Sequence, residues 1–243
     1  MQYNFVNTND IEINDNLNMM IYEVGEETKH KILVIDDFLK NPEDILSIIE
    51  THPFDSAIEL VKWGHETHLK FPKIRKVFAA LSSVYYGMES IDDSELDEKI
   101  KLQFNLINGG IKCPNRCIIP HVDQAHLAFS LFLNPNGNNP GGTGFYKHVK
   151  SNIDYDLSYS DNEFKKTEQY WQIHETYRKS KKDDFETIFD SRNISEDEWQ
   201  LQFVADVKFN RLVMHPSYIF HTFYIEKDWY TEEKRLSLAG FLL

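Results

Sequence analysis

The pattern of apolar positions changes character near residue 100. Before it, apolar side chains recur at helical spacing around one compact strand; after it, they alternate with polar ones or form short runs, as strands do. Residues 1–30 are polar, with 19–22 as their one strong apolar island, which suits either a short edge strand or a mobile tail. Residues 31–35 form an apolar strand. Asn41-Pro42-Glu43-Asp44 reads as a helix start: Asn as N-cap, Pro where no N–H is needed, acids facing the positive helix end. Ile45, Leu46, Ile48 and Ile49 give that helix a buried face. Residues 54–72 are irregular and carry Trp63, His65 and His68, whose histidines read as solvated groups or as a pocket wall. Ile74, Val77, Phe78, Leu81 and Val84 predict a helix over 73–86, and 94–100 a short acidic helix or turn.

From residue 101, Leu102, Phe104 and Leu106 alternate with Gln103 and Asn105, predicting a strand with one polar face. Turn signals at 108–110 and 134–142 bracket an apolar strand over 127–133, and 143–148 is the next strand. Residues 149–198 differ: they are highly charged, with Tyr155, Tyr159, Phe164, Tyr170, Trp171 and further aromatics interleaved, and have helical character over 163–181. They read as an insertion between core strands, either a surface flap or a lid over a site. Residues 202–207 and 211–214 predict a strand pair around Lys208-Phe209-Asn210. His215-Pro216-Ser217 follows as a turn, 220–225 as a strand, and 235–243 as a last strand whose apolar end lies in the sheet. The expected class is mainly β with flanking helices (α+β). One domain is expected over 1–243: an N-terminal strand and helix region to residue 100, then a β core over 101–243 that carries the insertion.

Candidate chemistry centres on Ile119-Pro120-His121-Val122-Asp123. On an extended segment His121 and Asp123 project to the same side, so an imidazole nitrogen and a carboxylate oxygen reach one metal ion. The residues after Met214 offer His215 and His221 as a third ligand; His126, His148 and His174 have weaker claims. Two histidines and one carboxylate, with the remaining positions open, is the donor set of non-haem Fe(II) oxygenases. Arg235 and Ser237 share one side of the last predicted strand and suit a carboxylate, which a guanidinium grips in a fork. Taken singly, each of these groups would also be unremarkable on a strand surface.

The ordered set His121-x-Asp123, Gly141-Gly142 followed by Phe145-Tyr146, Pro216-Ser217 leading to His221, and Arg235-x-Ser237 resembles the 2-oxoglutarate and Fe(II)-dependent dioxygenase superfamily, and more closely a bacterial branch of it. Phe209-Asn210-Arg211-Leu212-Val213 and the N-terminal Val34-Ile35-Asp36-Asp37-Phe38-Leu39 belong to the same resemblance. It implies a double-stranded β-helix, a jelly roll of the cupin type. It implies Fe(II) on His121, Asp123 and His221, since the superfamily places its distal ligand a few residues past the Pro-Ser turn. It also implies 2-oxoglutarate on Arg235 and Ser237, with Gln103 and Asn105 as candidate pocket residues, Lys147 as an alternative carboxylate partner, and ascorbate as a reductant. The implied reaction uses O2 to hydroxylate an unactivated C–H of an amino-acid-like, peptide or other small-molecule substrate, releasing succinate and CO2. A carboxylate at position 123 favours hydroxylation over halogenation, where a small residue frees a halide site. The competing readings are a jelly-roll metal-binding protein without turnover and a cupin-type metalloenzyme independent of 2-oxoglutarate.

The formal charge of -13 speaks against a nucleic-acid partner, which a basic face would serve. An acidic surface would suit a positively charged substrate, although net charge says little about one pocket. No signal peptide or membrane-length apolar run is apparent, so a cytoplasmic, membrane-free protein is expected. Cys113 and Cys117 then read as free thiols. Nothing in the sequence sets the oligomeric state.

Overall fold

Short apolar strands can bury one face only against another sheet or a helix, and this chain does both. A computed structural model describes residues 8–51, 64–66, 69–107, 119–135, 140–156, 159–160, 163–180, 190–232 and 235–243. In chain order the strands are β1 (Asn18–Val24), β2 (His30–Asp36), β3 (Gly64–Glu66), β4 (Ile100–Ile107), β5 (Leu127–Phe132) and β6 (Gly142–His148). There follow β7 (Tyr159–Ser160), β8 (Glu163–Phe164), β9 (Trp199–Asp206), β10 (Leu212–Pro216), β11 (His221–Tyr224) and β12 (Arg235–Leu242). The helices are α1 (Pro42–Thr51), α2 (Pro72–Tyr86), α3 (Leu96–Lys99) and α4 (Glu168–Ser180).

Seven strands form one antiparallel sheet in the order β1-β2-β10-β5-β12-β4-β3, and β11-β6-β9 form a second. The chain alternates between the two, placing β10 and β12 in the large sheet and β9 and β11 in the small one. This is the jelly-roll arrangement. Period-two alternation gives the large sheet two buried faces. Outward, Leu33, Ile35, Phe104, Phe129, Leu131 and Met214 pack under Ile45 and Ile49 of α1 and Ile74 and Phe78 of α2. Inward, Val34, Phe132 and Val213 meet Phe145 and Ala205 of the small sheet. Each such side chain stabilises by roughly 1.5–3 kcal/mol on burial. At the start of β6, Gly141 has φ 92, and a Cβ there would meet the Tyr224 carbonyl oxygen at 2.3 Å, so only glycine lets β6 run this close to β11.

Several expectations need correction. Residues 202–207 and 211–214 are not a paired hairpin: β9 pairs with β6, while β10 pairs with β2 and β5. The turn between them instead anchors the N-terminal region. Asn210, at φ 62, accepts from the Leu39 N–H and donates to the Leu39 carbonyl, both at 2.8 Å. His215 and Pro216 lie in β10, opposite Ala128 and Leu127, and the chain turns after them. The helix expected from residue 163 begins at Glu168, because 163–164 pair with 159–160. Val84 is 73 % exposed; the buried stripe of α2 runs through Ile74, Phe78 and Leu81 and ends on Tyr85. The last strand is buried through Leu242, with Leu243 half exposed. Among the described residues no helix is long and apolar enough to cross a membrane. Cys113, Cys117, Trp63 and His68 lie outside the described residues.

Candidate metal centre

His121 and Asp123 do not sit on a strand, as their spacing suggested. The segment around them is held by single bridges. His121 and His221 exchange both backbone hydrogen bonds at 2.9 Å, Asp123 N–H donates to the Ser217 carbonyl at 2.9 Å, and His126 N–H to Leu242 at 2.7 Å. These bonds lay residues 121–126 across the β10–β11 turn and the end of β12. His221 opens β11 and is opposite Phe145 of β6. One ligand atom each from His121, Asp123 and His221 then lies within 4.8 Å of the others.

The hydrogen bonds around this trio fix what it offers. His121 Nδ1 lies 3.3 Å from the Ile119 carbonyl and His221 Nδ1 2.8 Å from that of Ile219. A carbonyl only accepts, so each Nδ1 carries a proton, and the neutral tautomer this selects presents a bare Nε2. Those Nε2 atoms face Asp123, at 3.8 Å from Oδ1 for His121 and 3.2 Å from Oδ2 for His221. Two nitrogen lone pairs and a carboxylate thus converge, an arrangement relieved by a cation between them or by doubly protonated rings. Burial, offset in part by the Asp123 charge and reinforced by His221, pushes His121 down to about 4, so at neutral pH its lone pair stays available. Burial works against the Asp123 charge, but in the state with protonated rings a hydrogen bond from His221 and the charges of His221, His121 and His215 hold it well below the usual carboxylate range. The residues fit a divalent metal that accepts nitrogen and oxygen ligands.

His215 stands beside the trio and outside it. Its ring is 4.6 Å from that of His221 and 5.1 Å from Phe145, its Nδ1 meets the Pro216 carbonyl at 2.9 Å, and burial pushes it down to about 3. It is a neutral wall of the site.

Arg235, Ser237, Asn105 and Gln103 share the inner face of the large sheet. Asn105 is directly opposite Ser237 across β4 and β12, and Gln103 donates to Asn105 Oδ1 at 3.1 Å. The Arg235 side chain is 1 % exposed, and none of its three guanidinium nitrogens has a hydrogen-bond partner among the described residues. Its charge rests on two rings, 5.0 Å from the centroid of Phe132 and 5.3 Å from that of Phe223. Burial lowers its pKa to about 10, still leaving it charged at neutral pH. A buried unpaired cation is costly, and its planar fork of donors fits a carboxylate. Phe223 is two residues past His221 on β11, so both project to the same face, about 7 Å apart along the strand. The ring under the guanidinium thus shares a strand face with the ligand candidate His221.

Other candidates fall outside the trio. His148 is committed to Ser151 Oγ at 2.7 Å and to the edge of Trp199. Lys147 is half buried on β6, and His174 stacks on Tyr170 with centroids 4.0 Å apart. The side chain of His65 is not among those described. Sequence reasoning missed Lys166: within the insertion, its charge and Tyr170 both act on Asp123. Tyr170 stood out only as one aromatic among many, and Lys166 gave no signal, since only folding brings the insertion to the site.

No curated protein matches the sequence. Among solved structures, the chain resembles one described as prolyl 4-hydroxylases from Phytophthora capsici, at 12 % identity and a TM-score of 0.41. That match covers 86 % of this chain and 57 % of the other, so the chain spans just over half of its length. The likeness is one of outline only. Residues 15–242 match the family described as "Family of unknown function (DUF6445)", and with that coverage the chain belongs to it.

Proposed function

We propose that this protein is an Fe(II)- and 2-oxoglutarate-dependent oxygenase that hydroxylates an unactivated C–H bond of an amino-acid-like, peptide or other small substrate. One observation carries the reading: a cluster of two imidazoles and a carboxylate lies on the same inner side as a buried guanidinium that lacks a hydrogen-bond partner among the described residues. When bound, the metal and cosubstrate supply the oxidising chemistry, in which O2 is consumed and 2-oxoglutarate leaves as succinate and CO2.

The chain's own residues bind, orient and exclude water. His121, Asp123 and His221 would hold Fe(II), their orientation set by the Ile119 and Ile219 carbonyls behind the two rings. Arg235 would take the far carboxylate of 2-oxoglutarate in its fork, with the Ser237 hydroxyl on the same face and Asn105 opposite it. Phe132, Phe145 and Phe223 surround these charges with apolar surface, which strengthens each polar contact by lowering the local dielectric. His215, neutral and packed edge-on to His221, restrains the ligand ring without competing for the metal.

An anaerobic titration of the metal-free protein with Fe(II) and then 2-oxoglutarate, followed by visible absorption, tests the proposal. A charge-transfer band that needs both components, and vanishes in Asp123→Ala and His221→Ala, is the expected result. Iron binding without the cosubstrate band would leave a jelly-roll metal protein, and no metal binding would end the reading.

A further inference from the structure

The insertion delivers a cation to the metal centre's edge, and the cation is held in place. Thr167, just ahead of α4, donates its N–H to Asp156 Oδ2 at 3.0 Å and accepts the Tyr170 N–H on its Oγ1 at 3.1 Å, capping the helix. Asp156 is itself buried and tied to the Tyr218 carbonyl at 2.9 Å. Tyr170 is 3 % exposed, with its ring stacked on those of His174 and Phe220, centroids 4.0 and 6.2 Å away. Lys166 folds back over this ring: Nζ is 4.4 Å from the centroid and donates to Tyr170 Oη at 3.0 Å. Among the described residues Lys166 makes no ion pair at contact distance, yet it interacts electrostatically with Asp123, Asp156 and His121. A lysine that served only solubility would extend into water, where its side-chain entropy is retained.

We infer that Lys166 and Tyr170 form an anion-binding point for the substrate, so that the molecule oxidised at this centre carries a carboxylate. This rests on the oxygenase reading and narrows its substrate class. Lys166 Nζ has three hydrogens and gives one to Tyr170 Oη, leaving two for a ligand. Tyr170 Oη accepts from Lys166 and is approached by the Val122 N–H, so its own proton remains to donate. One ammonium and one hydroxyl, 3.0 Å apart, match the two oxygens and single charge of a carboxylate; a phosphate dianion would call for more donors. The point stands on other groups than the cosubstrate cradle: Arg235 rests on Phe132 and Phe223, whereas Lys166 rests on Tyr170 and Trp171. The net charge of -13 does not decide this point, where one ammonium stands near Asp123 and Asp156 and would meet the ligand directly.

The test is saturation-transfer NMR on the metal-free and Zn(II)-loaded protein. The probes are the free and N-acetylated amino acids, each compared with its carboxamide. At least one acid is expected to bind about tenfold or more tightly than its amide, the worth of a charge-assisted hydrogen bond. Lys166→Met should remove that preference, Lys166→Arg should retain part of it, and Tyr170→Phe should weaken it with the ring packing intact. Lys166→Met should still take up metal and should bind 2-oxoglutarate as the parent does, which also reports that the variant folds. The inference is overturned if no acid in the panel binds, if acid and amide bind alike, or if Lys166→Met binds as the parent does. Loss of 2-oxoglutarate binding in Lys166→Met would likewise overturn it, by assigning the lysine to the cosubstrate. A Lys166-dependent acid preference in a protein that takes up neither Fe(II) nor 2-oxoglutarate would sink the oxygenase reading and leave the anion site standing.

Discussion

Replacing Arg235 by methionine should stabilise the protein and disable it. The guanidinium is buried, its nitrogens have no hydrogen-bond partner among the described residues, and what offsets its burial there is two ring faces at 5.0 and 5.3 Å and the nearby Tyr230. Burying an ion costs several kcal/mol even after relaxation, while a desolvated cation–π contact returns about 2 kcal/mol. Methionine fills a similar volume and packs well on aromatic rings. The net gain without cosubstrate is therefore about 1–3 kcal/mol, and a domain of this size converts each kcal/mol into roughly 2–4 °C of Tm. With cosubstrate the sign reverses, because losing the charged partner of a carboxylate costs roughly 3–4 kcal/mol, or two to three orders of magnitude in Kd. Thermal unfolding of both proteins, with and without metal and 2-oxoglutarate, reads both effects. The variant should melt higher alone and show no further rise on adding 2-oxoglutarate. If it melts lower alone, the guanidinium is satisfied in the ligand-free protein; if 2-oxoglutarate still stabilises it, the cosubstrate carboxylate binds elsewhere.

Three further outcomes follow from named contacts. Asp123→Ala should abolish metal-induced stabilisation, worth about 2.7 kcal/mol at a metal concentration 100 times Kd in the parent, as read by Tm against added Mn(II) or Fe(II). Asn210→Ala should cost about 3 kcal/mol in urea unfolding, by losing both bonds to the Leu39 backbone and placing alanine at φ 62; Asn210→Gly should recover the backbone part only. Asp36 opposes its burial with the Arg211 fork and Lys208, at 2.6 and 2.9 Å, which hold its pKa below the ordinary value of 3.8. A folded pKa below the unfolded one means full stabilisation above about pH 4 and loss as pH falls through the folded value. Asp36→Asn should accordingly cost roughly 1.5–3 kcal/mol at pH 7 and flatten the stability profile below pH 4.

Local elements were legible because their cause is local. The helical stripe through Ile74, Phe78 and Leu81 and the alternation at Leu102 and Phe104 follow from which face of one element must be dry. Partner choice was not legible: the strands around Asn210 satisfy their apolar sides equally well as a hairpin or as members of opposite sheets. The Asn210 bonds to Leu39, remote in sequence, are part of what holds the second arrangement. His121 and Asp123 were singled out by spacing, yet their convergence depends on backbone bonds to His221 and Ser217 rather than on a strand.

By itself, the sequence determined the period of each element, the inventory of ligating side chains and the order in which they occur. It also held the pairing of Arg235 with Ser237 on one strand face, since two-residue spacing is a property of the backbone alone. Tertiary structure decided the rest. It closed Phe132 and Phe223 over Arg235, turned two histidine rings onto one carboxylate, and brought Lys166 from the insertion to the edge of the same centre. Desolvation and charge proximity arise only between elements remote in the chain, so no local pattern of residues encodes them.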